Sequence, residues 1–231
     1  MRPSVSRLVL LASLCVGGID LASGVAGPVV GKLELPPPPE RAPLKIKGFL
    51  ERMENPIAPV KPMPVLPYIV VVLESDTKPE VPGVVTWELA GESFTRPVFA
   101  APTGAEIVIR NTSRAPRTLL AVEDPKLISA GPINPTGPKS VRAGEPKIYT
   151  INDKDSPFLR GKLVVVATKH IAYPNDKGGF DFTDVPEGSY KLRVFYKDNW
   201  IDRTDDTVNV PAKGKVDVGS VKIPAGFPLK K

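Results

Sequence analysis

Arg110, Arg114 and Arg117 fall within eight residues of one another. A guanidinium group recognises carboxylate or phosphate through two parallel hydrogen bonds, so three of them can form an anion-binding pocket. The plainer reading is three solvated side chains on an exposed loop. A second group is acidic: Asp198, Asp202, Asp205 and Asp206 surround Trp200. Carboxylates attract calcium, but these lack the regular loop spacing of a dedicated site, and a solvated hairpin turn is the expectation. His170 is the only histidine and Cys15 the only cysteine. One imidazole with no thiol nearby does not make a transition-metal site. No serine sits in the glycine pattern of a nucleophile elbow, so a Ser-His-Asp arrangement built on His170 has no support. These residues predict no enzyme, no catalytic residue, no metal and no cofactor. Asn111-Thr112-Ser113 matches a three-residue glycosylation sequon. Trp87, Tyr173, Tyr196 and Trp200 can stack on sugar rings where they are exposed. Trp87, between Val85 and Leu89, reads as core, whereas Trp200, beside Asp198 and Asn199, reads as exposed.

The elements that hold these side chains are strands. From Tyr68 onward, short apolar or alternating runs are separated by turn residues, the pattern of a β-sandwich. Ile69 to Leu73 is a β-branched run suited to a buried strand. Val84 to Leu89, Ala105 to Ile109, Thr118 to Val122, Lys147 to Ile151 and Lys162 to Ala167 follow. Phe180 to Phe182, Tyr190 to Tyr196 and Val216 to Ile223 complete the series. Turns are expected at Pro79 to Gly83, Asn175 to Gly179 and Pro186 to Gly188. No segment sustains a 3.6-residue period over a helix length, so little helix is predicted.

Ahead of the strands lies a different texture. Between Pro28 and Pro67 there are 11 prolines in 40 residues. Proline fixes φ and removes the backbone donor, which rules out a regular helix or a central strand and predicts an extended arm that wraps the domain. Within it, Val29 to Leu35 alternates enough for an edge strand, and Gly48 to Met53 suits one helical turn. Residues 1–26 have the form of a removable export signal: Arg2 and Arg7, the apolar run Leu8 to Val16, then small residues at Ala22, Ser23, Gly24 and Ala26. Leu14 stands where lipidation of Cys15 requires a small residue. The apolar run is too short to span a bilayer, so no integral membrane span is expected. The net charge of +6 is mild and alternates in sign along the chain, without the basic stripe and interleaved aromatics of a nucleic-acid surface. A mature chain lacking Cys15 forms no disulfide and relies on its apolar core. The expected localisation is periplasmic or secreted.

Phe94 to Phe99, followed by Gly104 to Asn111, resembles the front half of a cupredoxin, where a "G-x-x-V-x-x-x-N" run leads into the loop carrying the first copper histidine. Ser156-Pro157-Phe158-Leu159-Arg160-Gly161 and the valine-rich Lys162 to Val166 resemble the later ligand loop of plastocyanin-like proteins of the methylamine-utilisation type. Asp176 to Val194 resembles the carboxypeptidase-regulatory β motif, marked by Gly178, Gly179, Phe180, Phe182 and Tyr190. Together these stretches cover about Tyr68 to Ile223. The cupredoxin resemblance places the four copper-ligand positions at Arg117, Asp153, Ser156 and Leu159, none of which is a soft or imidazole ligand, while Asn111, Pro157, Arg160 and Gly161 match the surrounding pattern. It implies a former copper site in which Arg117 and Asp153 pair across the loops.

The resulting expectation is an all-β, Greek-key β-sandwich of cupredoxin-like type with a proline-rich extended N-terminal arm. Its divisions are a signal peptide at 1–26, the arm at 27–67, the sandwich at 68–224 with a carboxypeptidase-regulatory-like half at 163–224, and a tail at 225–231. The expected role is a non-catalytic binding or structural component of the cell envelope, with an envelope protein or a glycan as partner. The alternatives are a carbohydrate- or small-anion-binding module, using Arg110, Arg114 and Arg117, and a copper electron-transfer protein with an atypical site.

Overall fold

The computed structural model describes residues 27–36, 64–75, 83–201 and 207–223. The export signal, the suggested turn at Gly48 to Met53, the expected turn at Pro79 to Pro82, the carboxylates Asp202, Asp205 and Asp206, and the tail at 225–231 lie outside them. Among the described residues sixteen strands run in chain order: β1 (Gly27–Glu34), β2 (Ile69–Glu74), β3 (Val84–Ala90), β4 (Ser93–Phe94), β5 (Val98–Pro102), β6 (Glu106–Asn111), β7 (Leu119–Ala121) and β8 (Pro138–Arg142). The second half holds β9 (Ile148–Asp153), β10 (Arg160–Val166), β11 (Ile171–Ala172), β12 (Gly179–Val185), β13 (Gly188–Tyr196), β14 (Asn199–Ile201), β15 (Thr207–Val210) and β16 (Val216–Lys222). Among the described residues the only helical element is a 3-10 turn at Leu66–Tyr68, and no helix is long and apolar enough to cross a membrane.

The strands form four sheets. The first has the order β4-β3-β6-β8 and the second β5-β10-β9-β7. The third runs β11-β2-β13-β14 with β15 also on β13, and the fourth is β12-β1-β16. Three apolar clusters show how they stack. Trp87, Ile107 and Ile109 of the first sheet meet Phe99, Ile151 and Leu163 of the second. Val98, Ala100, Val164 and Val166 of the second meet Val70, Val72 and Phe195 of the third. Ile69, Val71, Leu73 and Leu192 of the third meet Val29, Phe180 and Phe182 of the fourth. The result is two β-sandwiches back to back. Strands β2, β5 and β10 are covered on both faces, which is why they are continuous apolar runs rather than alternating ones.

This arrangement corrects three expectations. Gly27–Glu34 is not part of an extended arm, and it is not an edge strand. It is the centre of the fourth sheet, antiparallel to β12 and parallel to β16. Alternation reports two faces but not how many neighbours a strand has. The boundary at 163 also falls inside β10, a strand paired along its length with β9 and β5.

Local chemistry secures the turns. Between β11 and β12, Asn175 Oδ1 accepts hydrogen bonds from the amides of Lys177 and Gly179, both at 3.0 Å. Gly178 in that turn takes φ +79°, a region that favours glycine. After β11, Tyr173 reaches the second sheet, where its hydroxyl accepts from the Ala100 amide at 2.9 Å. Strand β5 is an edge of that sheet, so the phenol caps an otherwise open position.

Candidate functional site

Asn111 ends β6 and organises the loop after it. Its side chain is wholly buried. The Nδ2 group donates to the carbonyls of Ala115 at 2.8 Å and Ile133 at 2.9 Å, while Oδ1 accepts from the amide and hydroxyl of Ser113. Every polar position of the amide is therefore in use, and the sequon that begins at Asn111 is sealed inside the fold. The loop leads to Arg117, whose backbone exchanges two hydrogen bonds with Ile133 at 3.0 and 2.8 Å. That bridge turns the Arg117 side chain inward, and the residue is 7% exposed.

The guanidinium enters a cluster built from three further segments. Arg117 Nη1 lies 3.4 Å from Asp153 Oδ2, at the end of β9. Nη2 donates to the Gly91 carbonyl at 3.1 Å and to Glu92 Oε1 at 2.7 Å, both in the β3–β4 turn. The other oxygen of Glu92 accepts from the Ser156 hydroxyl at 3.3 Å. Asp153 and Leu159 are joined through the backbone, with the Asp153 amide donating to the Leu159 carbonyl at 3.0 Å. The Leu159 amide in turn donates to the Ser156 carbonyl at 3.0 Å. Arg117, Asp153, Ser156 and Leu159 thus gather at one end of the first sandwich.

The ion pairs bias the protonation of their members. The hydrogen bond from Arg117, reinforced by its charge, holds the Glu92 carboxyl below the usual carboxylate range. Reciprocally, the Glu92 hydrogen bond raises the Arg117 guanidinium above its ordinary value against the opposing effect of burial. Arg117 Nε is buried and makes no hydrogen bond. Glu92 is the participant that sequence reasoning missed. A lone glutamate in a two-residue turn carries no signal of its own, and only the hairpin brings it to an arginine 25 residues away.

The remaining candidates are dispersed. Arg110 lies on the exposed face of β6 and Arg114 is exposed in the loop, so neither shares the buried position of Arg117. The three arginines do not converge. Trp87 is core, stacked on Phe94 and Phe99 with ring centroids 4.0 and 5.4 Å apart. Tyr196 is buried as well. Trp200 is half-buried, under the Arg193 guanidinium at 4.0 Å. Asp198 sits in the β13–β14 hairpin and pairs with Lys162 at 2.9 Å. His170 lies edge-on to the Tyr190 ring at 5.7 Å, in the second sandwich.

A blue-copper centre requires two imidazoles and a thiolate. The gathered side chains are a guanidinium, two carboxylates, a hydroxyl and an isobutyl group, and Arg117 brings a positive charge to where a cation would sit. These residues do not fit copper. Among the described residues, no three His, Cys, Asp or Glu side chains group as a metal site.

The chain is an all-β sandwich protein with a buried ion-pair cluster at one end of its first sandwich. No protein-family model matches the sequence, and no curated protein matches it either. Among solved structures it is similar to a reduced amicyanin variant, at 19% identity and a TM-score of 0.33, covering 36% of this chain and 82% of that one. It is also similar to a purple cupredoxin from Nitrosopumilus maritimus, at 14% identity and a TM-score of 0.32, covering 35% of this chain and 98% of that one. A copper-containing nitrite reductase from Thermus scotoductus SA-01 matches at 16% identity and a TM-score of 0.33, over 36% of this chain and 22% of that one.

Proposed function

We propose that this chain is an exported, non-catalytic β-sandwich protein, a cupredoxin homologue that has lost copper binding and serves as a binding or structural component of the cell envelope. The observation that carries the proposal is the cluster around Arg117. The four positions that the cupredoxin resemblance assigns to ligands meet at one end of a sandwich, and a buried guanidinium shared by Asp153 and Glu92 joins their loops. In place of a redox centre, this end has a cross-link between the β3–β4 turn, the loop after β6 and the end of β9. Export to the periplasm or beyond rests on the N-terminal sequence alone. The reading of Arg110, Arg114 and Arg117 as an anion pocket draws no support here, because Arg117 is engaged by carboxylates of the chain itself.

Metal analysis tests the central claim. Purified protein incubated with copper(II) and desalted is expected to retain no stoichiometric metal and to show no intense visible absorption. One copper per chain with a strong visible band would overturn the proposal and favour an electron-transfer protein with an unusual ligand set.

A further inference from the structure

The contact between the second and third sheets changes character along the strands. At one end it is apolar, formed by Val70, Val72 and Phe195 against Val98, Ala100, Val164 and Val166. Side chains two apart on a strand share a face. The face that begins with Val70 and Val72 on β2 therefore continues as Glu74, and the face of Phe195 on β13 continues as Arg193, Lys191 and Ser189. The opposite wall stays aliphatic, with Ile148, Val164 and Val166. Charged groups do not close against an aliphatic wall, and a cleft of about 880 Å³ opens between them. That volume lies within the usual range for small-molecule sites.

Arg193 is held there on two sides. Its Nη1 donates to both oxygens of Glu74, at 2.9 and 3.0 Å, and its guanidinium lies flat over Trp200 at 4.0 Å. The pair uses one of the three guanidinium nitrogens, leaving Nε and Nη2 for a further acceptor. Lys191 shares the face and Lys147 stands on the rim, so among the described residues of the lining three cations face one carboxylate. The indole face beneath Arg193 is closed to a sugar ring, which argues against a neutral saccharide.

We propose that this cleft binds an organic anion with an apolar body, a carboxylate carried on a short hydrocarbon or aryl chain. The carboxylate meets Arg193 and Lys191, and the chain lies along Ile148, Val164 and Val166. This site is separate from the Arg117 cluster and does not depend on the fate of copper.

The test uses the full chain, phenylbutyrate as probe and phenylbutanol as its uncharged counterpart, followed by calorimetry and tryptophan emission. Trp87 is sealed in the first core, so a ligand-induced change in emission reports Trp200. Saturable binding of one phenylbutyrate per chain is expected, at least tenfold tighter than phenylbutanol. Arg193→Gln should weaken it about tenfold, as the loss of a charge-assisted contact does. Lys191→Gln, an exposed change that leaves the core intact, should weaken it several-fold and decides the matter if the Arg193 variant fails to fold. Absence of saturable binding, equal affinity for the alcohol, or undiminished affinity in folded variants would overturn the proposal.

Discussion

Replacing Arg117 by alanine isolates the ion-pair cluster energetically. The substitution removes a buried guanidinium from beside Asp153, a residue only 4% exposed. A buried carboxylate stripped of its partner carries a penalty of about 1–3 kcal/mol, and the Gly91 carbonyl loses a hydrogen bond worth about 1 kcal/mol. Removing the buried methylenes adds about 2 kcal/mol. One effect opposes these: Arg117 Nε has no partner in the folded chain, and deleting it recovers about 1 kcal/mol. The Glu92 side chain is 76% exposed, so water replaces the arginine there at little cost. A net loss of about 3–5 kcal/mol is expected, the range for breaking a buried ion pair. Urea denaturation at neutral pH measures it, with Arg117→Met/Asp153→Asn as the second arm. Removing both charges should be less destabilising than Arg117→Met alone, since no buried carboxylate is left. The pH dependence follows from the lowered Glu92 carboxyl. Its stabilisation is present above the unfolded-state value and is lost as pH falls through the lower folded value, a dependence absent in Arg117→Ala. A loss below about 1 kcal/mol, or a double variant as unstable as the two single losses combined, refutes the reasoning.

Tyr173→Phe should cost about 1–3 kcal/mol in denaturant titration, because the Ala100 amide on edge strand β5 loses its acceptor. Burial pushes the Tyr173 hydroxyl up to about 12, against smaller lowering effects of the Ala100 hydrogen bond and Arg96. Phenolate absorbance should therefore show this tyrosine ionising late in an alkaline titration. The stability linked to it is intact below the ordinary tyrosine value of about 10 and is lost as pH rises towards 12. Gly161→Ala should lower the melting temperature, since a Cβ there would come within 2.7 Å of the Phe94 and Trp87 rings. Overpacking of that kind costs about 1–3 kcal/mol.

The class of fold was legible along the chain because strand patterning is local. Ile69 to Leu73 reads as a strand buried on both faces, and all five residues are buried. Tyr190 to Tyr196 alternates as a strand should, and Trp87 between apolar neighbours lies in the core. Short elements escaped: β11 and β14 have two and three residues, too few for a period to register.

What sequence could not decide was adjacency. Gly27–Glu34 gains its two neighbours from strands around positions 180 and 220, and nothing within its own residues distinguishes a strand paired once from one paired twice. Arg110, Arg114 and Arg117 are alike in type and close in number. Strand pleat and the Ile133 bridge leave two of them in water and bury the third beside carboxylates that lie 25 and 36 residues away. The cleft beside Arg193 likewise exists only where two sheets, drawn together by valines at one end, meet charged side chains at the other. Sequence determines which face of each strand is apolar. Only the packed chain determines which faces meet, because contact is a property of pairs that the order of residues leaves far apart.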